Sequence, residues 1–204
     1  MATGVPAAVR AVLWDADGVL QHTPDGWFEA LRAGGGPGFA EDVLAAEAPA
    51  VRGEAPLRDT LVGVLARRPD ATVSLGELLS LWELAEVDAD ALGLVAEVRA
   101  RGLVCALATN QHDHRRSWMR DGLGLDRHFD AVFYSAELGV AKPEPAYFHR
   151  VLADLGLGPG EVVFVDDSRA NVDAAASVGI RSVRHDPASG ASVLRAEVEA
   201  LLRP

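Results

Sequence analysis

"LWDADGVL" (residues 13–20) drives an apolar segment straight into two acids one residue apart, Asp15 and Asp17, followed by Gly18. Carboxylates at the end of a buried strand are costly unless donors or cations sit among them. Two plain explanations come first: Asp-Gly is a common turn pair, and D-x-D can open a calcium loop. The calcium loop requires glycine at its sixth position and glutamate at its twelfth. Here those positions hold Leu20 and Gly26. The same construction returns far along the chain, where "VVFVDDS" (162–168) ends an apolar run in Asp166 and Asp167.

Between these two stretches lie further short apolar runs. "VRAVLW" (9–14), "LVCALA" (103–108), "AVFY" (131–134), "VVFV" (162–165) and "IRSV" (180–183) are apolar on successive residues. Continuous rather than alternating apolarity suits strands of a parallel sheet covered on both faces. Helical patterns separate them. Pro145 stands at a first-turn position, with Phe148, Leu152 and Leu155 on one face and Gly156 as the stop. Asp88 is an N-cap, Ala91, Val95 and Val98 share a face, and Gly102 closes that helix. A third runs from about 169 to 178 and ends at Gly179. Alternating strand and helix predicts an α/β fold, a three-layer α/β/α sandwich with a mostly parallel sheet and right-handed crossovers.

Residues 22–87 break that rhythm. Segments near 26–33, 39–48, 54–67 and 74–86 have helical spacing or composition, punctuated by "AGGGPG" (33–38) and "RRPDA" (67–71), and none reads as a strand. The glycines of 34–38 match neither the phosphate loop nor the dinucleotide fingerprint. The expected organisation is a core domain of 1–21 and 88–204 with a small all-helical cap, 22–87, inserted between the first two strands.

The 204 residues are 49% apolar and 24% charged, as in ordinary globular proteins. Nineteen Lys and Arg against 30 Asp and Glu give a formal charge of −11, which disfavours nucleic acid and anionic membranes as partners. Cys105, the only cysteine, lies in an apolar run and reads as a buried structural thiol. The start "MATGVPAAVRAVLWDAD" lacks the charged beginning and apolar core of a signal peptide, and no apolar stretch approaches the ~18 residues of a membrane span, so the expected location is cytoplasmic.

In a parallel sheet the strand ends meet at one edge, where doubly wound folds bind ligands. Four carboxylates there, Asp15, Asp17, Asp166 and Asp167, would repel unless a cation joined them, and an oxygen-only cluster suits Mg²⁺. "ATN" (108–110) adds the Thr109 hydroxyl and the Asn110 amide at the same edge, and "VAKPEPAYF" (140–148) adds Lys142. Donors facing a metal–carboxylate cluster describe a phosphoryl site. Taken singly, each residue has a plainer explanation: Thr109 and Asn110 as helix caps, Lys142 as a surface lysine, the acid pair as a turn.

With "DADGV", "ATN", "AKPEP" and "VDDS" present in that order, the chain resembles the haloacid dehalogenase superfamily of aspartate-nucleophile hydrolases over nearly its whole length. That resemblance implies a HAD-like, Rossmannoid core and roles for matching positions. Asp15 would be nucleophile and metal ligand. Asp17 would be general acid and base, with its backbone carbonyl reaching the metal. Thr109 would hold a phosphoryl oxygen with Asn110 nearby, and Lys142 would offset charge on nucleophile and phosphate. Asp167 would bind Mg²⁺ directly and Asp166 through a water. An acid at Asp17 favours phosphoryl chemistry over dehalogenation, because a departing halide needs no proton. Trp14 and Ala16 depart from the family's common residues without removing a reacting group.

The expected activity is Mg²⁺-dependent hydrolysis of a small phosphorylated metabolite by a monomer or homodimer. A sugar phosphomutase using the same residues and a non-catalytic binding module are the alternatives. A receiver domain is excluded by the motif order and by the insertion of about 65 residues. "NQHDHRR" (110–116) admits a metal reading through His112 and His114, but equally the first turn of a helix with Asp113 complementing its dipole. His112 could also approach substrate. Trp27 and Phe28 read as cap packing or substrate contacts, Trp82 and Trp118 as core or helix-face residues.

Overall fold

The computed structural model describes residues 8–203; residues 1–7, the start of the segment weighed above as a leader, lie outside them. Strand β1 (Ala11–Trp14) is fully buried along its length, as expected of a central strand covered on both faces. It leads through the acid loop to a two-residue strand β2 (Gln21–His22), then to helices α1 (Trp27–Ala33), α2 (Phe39–Val51), α3 (Leu57–Arg67) and α4 (Leu75–Leu81). Strand β3 (Glu86–Val87) pairs antiparallel with β2, His22 opposite Glu86. The expectation that no strand falls in 22–87 is corrected here: a short ribbon carries the chain out of the sheet region and back. Two residues per strand are too few for periodicity to register.

The rest alternates. Helix α5 (Ala89–Ala100) precedes β4 (Val104–Thr109), and short α6 (Asp113–Ser117) leads to β5 (Ala131–Tyr134) and α7 (Ser135–Leu138). Helix α8 (Pro145–Leu155) precedes β6 (Val162–Asp166), and α9 (Arg169–Ser177), β7 (Arg181–Arg184) and α10 (Gly190–Leu202) complete the chain. Asp88 caps α5 by accepting from the Asp90 and Ala91 amides, and Gly156 stops α8 with φ 65°.

The main sheet is parallel, in the order β5-β4-β1-β6-β7. Alternate residues of β1 face opposite layers. Val12 and Trp14 join the core under α5 and α10, while Ala11 and Leu13 join the core under α8 and α9. The fold is therefore the α/β/α sandwich the strand runs predict. Helices α1–α4 have a hydrophobic core of their own, built on Leu31, Phe39, Leu57, Leu61, Leu78 and Trp82. Among the described residues no helix is long and apolar enough to cross a membrane.

Candidate active site

The chain leaves β1 toward one side of the sheet and β6 toward the other, so the crevice between their ends is the topological switch point. Trp14 pairs with Val165, which brings Asp15 beside Asp166. Lys142, with its side chain 1% exposed, bridges them: its Nζ lies 2.9 Å from Asp15 Oδ1 and 2.6 Å from Asp166 Oδ2. Carboxyl oxygens of Asp15, Asp166 and Asp167 all lie within 4.8 Å of one another. Residues separated by up to 152 positions are thus gathered into one pocket.

Burial pushes the Asp15 carboxyl well above the usual range; Lys142 pulls it back, while Asp166 and Asp17 push it further up. Burial works against the Lys142 charge, but Asp15 and Asp166 together keep its ammonium above the ordinary lysine range. Asp167 is raised by burial and then by Asp166, with Lys142 opposing. This is an acid cluster short of positive charge.

The donor set fits a hard divalent cation, since only carboxylate oxygens converge. The three acids are not equivalent. Asp166 is fully committed: Oδ1 accepts from the Ser168 amide and Asn171 Nδ2, and Oδ2 from Lys142 and Asn171 Nδ2. Asp15 Oδ1 accepts the Ala16 amide at 2.8 Å, leaving Oδ2 open. Asp15 and Asp167 are therefore the side chains able to hold a cation, and Asp166 anchors Lys142. Gly18 enters for a geometric reason. Its φ is +75°, and a Cβ there would stand 2.7 Å from Asp167 Oδ2, so only glycine lets the acid loop pass Asp167.

Asp17 turns its side chain away from that cluster. Oδ1 accepts from Gln21 Nε2 at 2.8 Å and Arg115 at 2.6 Å, and Oδ2 accepts from Gln111 Nε2 at 2.7 Å. Any part for Asp17 in holding a metal falls to its backbone carbonyl. Thr109, 1% exposed at the end of β4, takes Gln111 Nε2 on its hydroxyl oxygen at 3.2 Å and keeps its own hydrogen to donate. The Asn110 side chain, expected to bind phosphate, is engaged with the Lys142 backbone. Its amide donates to the Lys142 carbonyl at 2.8 Å and accepts the Lys142 amide at 2.9 Å, so the side chain fixes the Lys142 loop.

The "HDHRR" segment is helical from Asp113, but Asp113 does more than complement a dipole: its Oδ1 accepts the Leu57 amide at the start of α3. His112 is buried and caps α6 through Nδ1, and His114 reaches Leu79 O and Glu83, so neither belongs to the acid cluster. Trp27 donates to Leu81 O and packs with the cap core, Trp82 is buried there, and Trp118 packs against the main core.

Sequence reasoning passed over Arg115, Gln21, Gln111 and Asn171. Arg115 was visible only as part of a short basic run. A partial signal existed for the others: Gln21 opens β2 just beyond the acid loop, Gln111 stands in the loop after β4, and Asn171 lies in the first turn of the helix after β6.

Comparison with known proteins agrees with this fold. A 23% identical haloacid dehalogenase family enzyme from Bacteroides thetaiotaomicron, solved as a magnesium complex, superposes with a TM-score of 0.81 over 92% of this chain and 98% of its own. Phosphoglycolate phosphatase of Pectobacterium atrosepticum is 30% identical over 86% of this chain and 80% of its own length. Other matches are partial. They cover 46% of this chain at 37% identity to phosphoserine phosphatase of Thermus thermophilus, spanning 38% of that protein, and 53% of this chain at 38% identity to acyl-CoA dehydrogenase family member 10 of Mus musculus, spanning 10% of that one. The haloacid dehalogenase-like hydrolase profile matches residues 9–179, and with most of its length and its whole acid pocket inside that match, the chain belongs to this family.

Proposed function

We propose that the protein is a divalent-metal-dependent phosphatase that hydrolyses a small phosphomonoester through a phosphoryl intermediate on Asp15. The observation that carries this reading is the buried Lys142 ammonium joining Asp15 to Asp166, with Asp167 within 4.8 Å. Relatives named as phosphoserine and phosphoglycolate phosphatases, and a Bacteroides neighbour solved with magnesium and inorganic phosphate, support it.

A nucleophilic carboxylate must be ionised, and burial opposes that at Asp15. The ion pair with Lys142 favours the charged form, so that one Asp15 oxygen would attack phosphorus in line while the other faces the cation. Asp15 and Asp167 would hold Mg²⁺, which supplies charge neutralisation for the incoming phosphate. The Thr109 hydroxyl and Lys142 would hold phosphoryl oxygens. Asp17 would donate its proton to the departing alkoxide and then take one from the water that cleaves the aspartyl phosphate. Oδ2, with Gln111 as its donor, has the lone pair free to bear that proton; Oδ1 is occupied by Gln21 and Arg115. Such acid–base help is worth about 10²- to 10⁴-fold.

Asp15→Asn tests this directly. Phosphate release from p-nitrophenyl phosphate with Mg²⁺ present should fall to background, and normal turnover by this variant would end the proposal. On this reading the protein would act as a monomer or homodimer on a small metabolite in the cytoplasm.

A further inference from the structure

The cap reaches the loop at the end of β4 through Glu47 and Trp82. Glu47, on α2 and partly buried, accepts Trp82 Nε1–H on Oε1 at 3.1 Å. Trp82 packs edge to face on His112, with ring centroids 5.7 Å apart, and His112 lies three residues beyond Thr109. These contacts tie a cap carboxylate to the loop at the end of β4. Glu47 is also close enough to Arg115 and Asp17 for their charges to act on it, though burial is the larger effect and lifts its carboxyl to about 7.

A carboxylate has about four acceptor positions, and the hydrogen bonds of the described residues fill one of them at Glu47. The neighbours do not supply the missing charge. Arg115 gives its guanidinium to Asp17. His112 accepts the Arg115 amide on Nδ1, so its proton sits on Nε2, which is buried without a partner. Burial, with Arg115 beside it, holds that ring neutral, with a pKa lowered to about 3. This contact between cap and β4 loop therefore offers one neutral donor, His112 Nε2, and one poorly compensated anion, Glu47.

We infer that Glu47 is a specificity-determining residue that binds an ammonium group on the alcohol side of the substrate, making phosphomonoesters of small amino alcohols the preferred class. This rests on the phosphatase reading. Among the described residues, the cations paired with or acting on the carboxylates of Asp15, Asp17, Asp166 and Glu47 are Lys142 and Arg115, and Arg184 reaches the Asp167 backbone carbonyl, so an anionic leaving group adds repulsion beside Glu47. A neutral group leaves the carboxylate uncompensated. An ammonium pairs with it through a charge-assisted hydrogen bond.

The experiment compares kcat/KM for three esters of equal length: 2-aminoethyl phosphate, 2-hydroxyethyl phosphate and phosphoglycolate. Turnover of p-nitrophenyl phosphate reports the phosphatase reading separately. The wild type should prefer the aminoethyl over the hydroxyethyl ester by about tenfold, the scale of one hydrogen bond to a charged group, with phosphoglycolate poorest. Glu47→Gln keeps an acceptor for Trp82 and should bring that ratio close to one while improving phosphoglycolate relative to the neutral ester. Glu47→Asp keeps the charge but withdraws it, and should fall between. A thermal melt establishes that each variant is folded. Turnover of p-nitrophenyl phosphate with no preference for the amino ester, or an unchanged ratio in either folded variant, would overturn the inference and leave the phosphatase reading standing. No turnover of any ester would overturn both.

Discussion

Lys142 and Glu47 are buried to different degrees, and their chemistry predicts opposite responses to removal. Lys142→Met would strand Asp15 and Asp166 as buried carboxylates without their shared cation, a change that costs about 3–5 kcal/mol. In EDTA, so that no added ion substitutes, its Tm should fall by roughly 10 °C at pH 8. Asp15 is already raised by burial, and losing Lys142 raises it further. A folded-state pKa above the unfolded value means that the folded protein binds the extra proton, so the deficit is greatest at high pH and shrinks on acidification. The gap to wild type should therefore narrow from pH 8 to pH 5, and a constant gap would show that the charges are not its cause. Glu47 has the same sign on a smaller scale. Its ordinary value of 4.5 is lifted to about 7, chiefly by burial, so it costs stability progressively between those values and constantly above. Glu47→Gln should match wild type near pH 4.5 and exceed it above pH 7. Solvent screening of this partly exposed group limits the gain to on the order of 1 kcal/mol, or roughly 2–4 °C in a melt.

At the scale of elements, the cap is held to the core at particular backbone positions. Gly53, just beyond α2, has φ +70°, and a Cβ there would stand 2.2 Å from the Ala136 carbonyl oxygen on α7. Asp113 on α6 holds the first amide of α3, and Arg52 pairs with Glu144 at the start of α8. Gly53→Ala therefore has no strain-free place for its methyl group and must lift the α2–α3 corner from α7, costing about 1–3 kcal/mol. Hydrogen exchange should accelerate at α2 and α3 amides while β1, β4 and β6 remain protected; uniform loss of protection would count against a local corner. The elements differ in how far the sequence reveals them. Strands β1, β4 and β6 are buried on both faces and so read as unbroken apolar runs, and Gly102, Gly156 and Gly179 mark helix ends because each needs a positive φ. The β2–β3 ribbon left no pattern because it is too short. The acids and Thr109 stand at strand ends and Lys142 in the loop between α7 and α8, where topology alone gathers them. Arg115 meets Asp17 across 98 positions, and Glu47 meets Trp82 across 35, through side-chain directions that no local spacing encodes.

The whole molecule is acidic, at −11, and concentrates part of that charge where the parallel strands end. A fold that brings Asp15, Asp166 and Asp167 within 4.8 Å of one another while supplying the single buried ammonium of Lys142 leaves a deficit that a divalent ion is suited to fill. Binding to the folded state alone stabilises by mass action, about 2.7 kcal/mol when the ion stands at 100 times its dissociation constant. For a chain of this size that is a rise of roughly 5–10 °C in Tm. Mg²⁺ titrated into EDTA-treated protein should produce this rise and restore phosphate release in parallel. Asp167 is the acid with no side-chain hydrogen bond among those described, so its carboxylate is the one most available to the ion, and Asp167→Asn should abolish the Mg²⁺-dependent rise while leaving the EDTA melt near that of wild type. The asparagine keeps the side chain's size beside Gly18, which separates loss of ligand charge from loss of fit. A Mg²⁺ response that survives in Asp167→Asn would place the ion elsewhere and remove Asp167 from the site.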